Sequence, residues 1–142
     1  VGFEDATQYP DIHAIRAEMA QVEEELEDHL GECRKLLRIH DLEYKSILTT
    51  PYLIEVPVGQ ANKVPRDWLK MSGTQKVARF HTPVIQTQYA RMQRLQERLD
   101  VLCNAAWQAF LGKIALRYGE LRAAVQGLAA VDCLLSLARV AR

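Results

Sequence analysis

After Pro83 the apolar residues Tyr89, Met92, Leu95, Leu99, Leu102, Ala106, Phe110, Ile114, Tyr118, Leu121, Val125, Leu128, Val131 and Leu135 recur at steps of three and four. Such spacing returns side chains to one stripe of an α-helix and suits no β-strand, whose period is two. The predicted helix runs over residues 83–142 and is roughly 90 Å long. Thr82 is placed to cap it and Pro83 to occupy its first position, where the missing N–H costs nothing. Gly112, Gly119 and Gly127 weaken it, and a bend is expected near 112–120.

A second stripe, Ile12, Ile15, Met19, Val22, Leu26, Leu30, Cys33 and Leu37, precedes it and begins after Tyr9-Pro10-Asp11, a helix start with Pro in the first turn. This helix is roughly 45 Å long. The two arms are therefore unequal, and the far half of the longer one must lie on something else or fold back. The chain begins without Met and ends inside an apolar pattern at Val140-Ala141-Arg142, so a piece of a larger protein is expected.

Between the arms the pattern shortens. Leu42 to Leu48 and Tyr52 to Val56, divided by Thr49-Thr50-Pro51, are rich in β-branched and aromatic residues and predict a hairpin. Pro57, Gly59 and Asn62 mark a loop. Two more strands are expected at Asp67–Met71 and Lys76–Thr82, joined by Ser72-Gly73-Thr74-Gln75. The expectation is a sequential four-stranded antiparallel meander, too small to be stable without a neighbouring helix.

Charge separates along the chain although its total is balanced, with 18 Lys and Arg against 18 Asp and Glu. Residues 9–38 carry Asp11, Glu18, Glu23, Glu24, Glu25, Glu27, Asp28 and Glu32 against Arg16, Arg34, Lys35 and Arg38. Residues 59–81 reverse this, with Lys63, Arg66, Lys70, Lys76 and Arg79 against Asp67 alone. The acidic run reads as a solvated helix face. In the basic stretch Ser72, Thr74 and the amides near Gly73 add small donors to the cations, which is the chemistry of phosphate contact. A sheet edge protected from mispairing by lysine accounts for the same residues. Trp68, Phe80 and Tyr52 suit stacking on bases or packing of the sheet onto the helix ends.

Catalytic patterns are missing. No GxxxxGK followed by Ser or Thr, no HExxH and no GxSxG occurs. His29 and Cys33, four apart with Glu32 between them, lack a matching second pair, so no metal site is expected. Asp132, alone in an apolar stretch, reads as a structural carboxylate. Cys33, Cys103 and Cys133 have no zinc or disulfide spacing and fall on or beside apolar stripes, as buried thiols of a reduced compartment do. No segment reads as a secretory leader or a bilayer span.

The order helix, small basic sheet, long helix resembles the clamp and lever segment of the MutS mismatch-repair family. Within it the chain is most similar to the eukaryotic MutSβ subunit that recognises insertion/deletion loops. The resemblance is carried by Phe3-Glu4-Asp5, Tyr9-Pro10, Leu30-Gly31-Glu32-Cys33-Arg34-Lys35, Ile54-Glu55-Val56, Pro65-Arg66-Asp67-Trp68, Thr74, Arg79-Phe80-His81-Thr82-Pro83, Cys103-Asn104-Ala105-Ala106-Trp107, and Ala130-Val131-Asp132-Cys133 through Leu137-Ala138. It implies a mainly α fold with a small antiparallel β-sheet, in which two long lever helices, the second much longer, carry a four-stranded clamp sheet at one end. The implied divisions are 1–39 for the N-terminal segment and first lever, 40–82 for the clamp and 83–142 for the second lever.

The resemblance further implies that Lys63, Arg66, Lys70, Ser72, Thr74, Lys76 and Arg79 contact the backbone of duplex DNA. The levers are expected to transmit motion from an ATPase outside these residues. It implies no catalytic residue, enzymatic activity or cofactor in this chain, ATP and Mg belonging to the parent protein. The implied partners are duplex DNA and a second MutS-type subunit, in the nucleus. Self-association through residues 120–140 is expected of the chain by itself. From the unequal arms alone, a coiled-coil protein-interaction module without DNA contact is the alternative.

Overall fold

A computed structural model describes residues 9–140. The segment before Tyr9, with Phe3-Glu4-Asp5, and the final Ala141-Arg142 lie outside the described residues. The elements are α1 (Pro10–Leu37), β1 (Tyr44–Ile47), β2 (Thr50–Pro57), a 3-10 helix (Val58–Lys63), β3 (Leu69–Gly73), β4 (Val77–His81) and α2 (Pro83–Val140). The fold is mainly α with a four-stranded antiparallel sheet and a long second helix, as the sequence predicts. The chain divides into two compact units after Asp100.

In the first unit α1 buries the face its period marks. Ile12, Ile15, Val22, Leu26, Leu30, Cys33 and Leu37 are all buried, and Met19 is half-buried. Each fully buried aliphatic side chain contributes about 1.5–3 kcal/mol relative to exposure. The opposing residues are Ile85 and Leu95 of α2, with Leu53, Ile54, Val56, Ala78 and Phe80 from the sheet completing the core. Pro10 stands at the start of α1 as expected. Thr82 caps α2, its Oγ1 accepting the Ile85 N–H at 3.1 Å.

Polar contacts fix how α1 and α2 run together. His29 Nε2 lies 2.6 Å from Thr82 Oγ1 and 3.5 Å from Cys33 Sγ, while Nδ1 faces Glu32 at 3.5 Å. Gln88 donates to Glu25, and Arg91 Nη1 approaches the same carboxylate at 3.7 Å. Cys33 is buried; desolvation, helped by the Glu32 charge, pushes its thiol up to about 11, so it stays protonated and unreactive.

The first helix ends at Arg38, which has φ 58° and ψ 38°. Its N–H and that of Ile39 both return to the Arg34 carbonyl. Glycine adopts this left-handed cap without steric cost. Arg38→Gly is therefore expected to stabilise the fold by about 1 kcal/mol, seen as a higher urea midpoint.

The sheet departs from the expected meander. Its order is β1-β2-β4-β3, so β4 is central and β3 is an edge. The cause is the connection from Pro57 to Leu69, which is long enough to carry the chain past the place of β4. Far from being a plain loop, it contains the 3-10 helix and is tied down at both ends. Val58 N–H bonds to the Lys76 carbonyl at 2.9 Å, and Trp68 stacks edgewise on Phe80 with centroids 6.3 Å apart.

The first hairpin also differs. The strands turn at Leu48-Thr49 rather than Thr49-Thr50-Pro51, and Thr50 and Pro51 belong to β2. Leu48 holds φ 54° and is 99% exposed; Tyr52 holds φ 58° inside β2, where the register shifts between Lys45 and Ile47. Each such residue costs about 1–3 kcal/mol in backbone strain.

Beyond Asp100 the second unit is helical as far as Val140, running through Gly112, Gly119 and Gly127. Here the apolar stripe stands open: Phe110, Ile114, Tyr118, Leu121, Val125, Leu128, Val131 and Leu135 are each 46–66% exposed. Among the described residues no helix is long and apolar enough to cross a membrane.

Candidate nucleic-acid interface

The basic stretch spans the β3–β4 hairpin and the connection before it, from the turn ahead of Val77 to the Leu69–His81 end that leads into α2. β4 begins at Val77 and delivers the chain to α2 at His81-Thr82, so the turn before Val77 is the distal tip. Pro57 pairs with Val77, which brings the start of the 3-10 helix to the same end.

The tip is a built turn. Thr74 N–H donates to the Val77 carbonyl at 2.8 Å, and Thr74 Oγ1 accepts the N–H groups of Lys76 and Val77, each at 3.2 Å. With both acceptor positions used, the hydroxyl proton is left to donate outward. Gly73 permits the tight closure: a Cβ there meets the Val77 carbonyl oxygen at 3.1 Å and Lys70 Cε at 3.3 Å. Thr74→Val keeps the shape of the side chain and removes both bonds, so a loss of about 1 kcal/mol is expected, measured as a lower urea midpoint.

Lys63, Arg66, Lys70 and Lys76 are exposed. Among the described residues none of these side chains has an ion-pair or hydrogen-bond partner. Register divides the seven sequence-derived residues. Lys70 lies opposite Phe80, on the face where Trp68 meets the Phe80 ring. Arg79, the neighbour of Phe80 on β4, points to the other face, where Ser72 is its partner. Arg79 Nε donates to Glu55 Oε2 at 3.0 Å, with the two side chains 15% and 26% exposed. Ser72 Oγ is buried without a hydrogen-bond partner.

Lys63, Arg66, Lys70 and Lys76, with the Thr74 hydroxyl, thus form the accessible cationic set, whereas Arg79 is engaged inside the sheet and Ser72 is turned away from solvent. Sequence reasoning missed Glu55, the residue that engages Arg79. Its only signal is an acid in an otherwise apolar strand, and that becomes meaningful once the β2–β4 register is known. Among the described residues no group of three or more His, Cys, Asp or Glu is arranged to hold a metal ion.

Comparison with known proteins identifies the architecture. The family described as MutS family domain IV matches residues 9–98, which hold α1, the whole sheet and the start of α2. The chain belongs to the MutS family. It is 36% identical to the DNA mismatch repair protein Msh3 of Mus musculus over 140 residues, covering 99% of this chain and 13% of that protein. It is 42% identical to MSH3 of Pyricularia oryzae over 132 residues, 92% of this chain and 12% of that protein. With MSH3 of Arabidopsis thaliana the identity is 35% over 135 residues, 95% and 12%. This MutS-family chain therefore spans about an eighth of the length of these relatives.

Proposed function

We propose that this chain is the DNA-clamp and lever module of a MutS-type mismatch-repair protein, contacting the backbone of duplex DNA without reading its sequence. The observation that carries the proposal is a set of exposed cations, Lys63, Arg66, Lys70 and Lys76, without partners among the described residues, on the β3–β4 hairpin and the connection that leads into it. Cations of this kind reach phosphate oxygens, and phosphate contacts position a protein on DNA without reporting base identity. The relatives' description as DNA mismatch repair proteins supports the same function.

In this function the helices are the levers that carry ATP-driven motion from other parts of the parent protein to the sheet. That parent acts in the nucleus beside a second MutS-type subunit. This chain's own part is non-covalent. Binding of the chain to a mixed-sequence duplex at low salt tests the proposal. Lys70→Ala with Lys76→Ala should weaken it by at least about tenfold, a loss of about 1.4 kcal/mol, equally on unrelated sequences. No binding by the unsubstituted chain, or none of this weakening, counts against it.

A second reading is favoured by the open stripe from Phe110 to Leu137, each member of which is large and apolar. It makes the chain a coiled-coil protein-interaction module, self-associating through residues 120–140. Sedimentation at high concentration decides it: a monomer removes the support for this reading.

A further inference from the structure

The β1–β2 hairpin lies against both helices through a closed chain of aromatic contacts. Tyr44 of β1 donates its hydroxyl to the Leu26 carbonyl of α1 at 2.5 Å. Its ring meets Tyr52 edgewise, with centroids 5.4 Å apart. Tyr52 in turn meets Tyr89 of α2 at 6.3 Å, and Tyr89 lies against His81 of β4 at 6.1 Å. His81 returns to the hairpin, Nε2–H donating to the Pro51 carbonyl at 2.8 Å. Contacts therefore pass from α1 through two strands to α2 and back to the sheet.

Tyr52 is the common member of the two ring contacts in the middle of this chain, and it has φ 58°. A bulky residue in the left-handed region of a strand persists where its surroundings determine it. A glycine relieves the backbone but loses the ring. The tyrosine offsets that strain through its ring, whose contacts with Tyr44 and Tyr89 need the side chain directed out of the regular pleat.

We propose that Tyr52 is a positioning residue whose left-handed backbone and ring fix the attitude of the sheet against α1 and α2. The turn that carries Lys76 lies at the other end of the same sheet, so a loosened root becomes a displaced tip. The consequence for DNA rests on the proposed function; the consequence for sheet attitude stands without it.

The test is a distance distribution between spin labels at Ala20→Cys on α1 and Gln75→Cys in the distal turn, both exposed positions. Cys103→Ser and Cys133→Ser remove the accessible thiols, while Cys33 is buried and stays unlabelled. Tyr52→Phe should keep the narrow distribution of the unsubstituted chain. Tyr52→Gly and Tyr89→Ala should broaden it at temperatures where circular dichroism shows both to be folded. Tyr89→Ala leaves the sheet backbone untouched and decides the matter if Tyr52→Gly does not fold. A distribution of unchanged width in the folded variants overturns the proposal.

On a mixed-sequence duplex the broadened variants should bind several-fold more weakly with the same dependence on salt, since no phosphate contact has been removed. Unchanged affinity alongside a broadened distance overturns the consequence for DNA. Absence of binding by the unsubstituted chain overturns the clamp function, whereas the distance measurement still decides the joint.

Discussion

The affinity of the chain for duplex DNA should fall by about two orders of magnitude between about 50 mM and about 200 mM salt. Each phosphate neutralised releases condensed counterions, so the logarithm of the binding constant falls with the logarithm of salt at about −0.9 per contact. Lys63, Arg66, Lys70 and Lys76 are exposed and have no partners among the described residues, which gives a slope of about −3.6 if each takes one phosphate. If the Arg79–Glu55 pair opened to supply another contact, the slope would steepen by about one unit.

Titration of a fluorescent duplex at several salt concentrations measures the slope directly. Lys76→Ala should lower its magnitude by about one on every sequence tried. A flat dependence sinks the backbone-contact mechanism and leaves apolar association as the better account of the chain. The acidic face of α1, with Glu23, Glu24, Glu27 and Asp28 all exposed, sharpens the expectation, because it offers no alternative surface to a polyanion.

Ile54→Ala should cost about 2–5 kcal/mol, the usual range for emptying a buried aliphatic position. Ile54 has no exposed surface and is flanked by Tyr44 on one strand and Phe80 on the other. A whole domain is commonly stable by about 5–15 kcal/mol, so a loss of that size is a large share of the total. Urea unfolding followed by circular dichroism and tryptophan fluorescence reads the shift. Leu48→Ala, at a residue 99% exposed, is the contrast and should remain within about 0.5 kcal/mol. Equal effects at the two positions would show that the seam between β2 and β4 is not packed as described.

Much of the frame was legible because helical burial follows a simple period. The steps from Ile12 to Leu37 name the buried face of α1 residue by residue, and Thr82-Pro83 marks the start of α2 through capping chemistry alone. The sheet was less legible. Its strands could be found from Val, Ile, Tyr and Phe content, but their order depends on where an irregular connection goes, and Val58–Lys63 carries no periodic signal. The site suffered in proportion. Lys70 and Arg79 stand together in a charge count, yet the pairing of Lys70 with Phe80 puts them on opposite faces. Neither the Glu55 partner of Arg79 nor the burial of Ser72 Oγ could be foreseen without that register, which includes an irregularity between Lys70 and Ser72.

The placing of β4 between β2 and β3 bears on how the sheet assembles in time. β1 with β2 and β3 with β4 are each neighbours in sequence as well as in space, so each pair closes over a short loop, on the microsecond scale typical of hairpins. The β2–β4 seam joins residues much further apart, such as Val56 and Ala78, and must bear a larger loop-closure entropy. Completion of the sheet requires the two hairpins to join along one seam, and neither two-stranded ribbon is more than marginally stable before they do. Since Val56 and Ala78 are both buried, water must leave that seam as the ribbons meet, so the same seam carries both the larger loop-closure cost and the desolvation of the centre of the sheet.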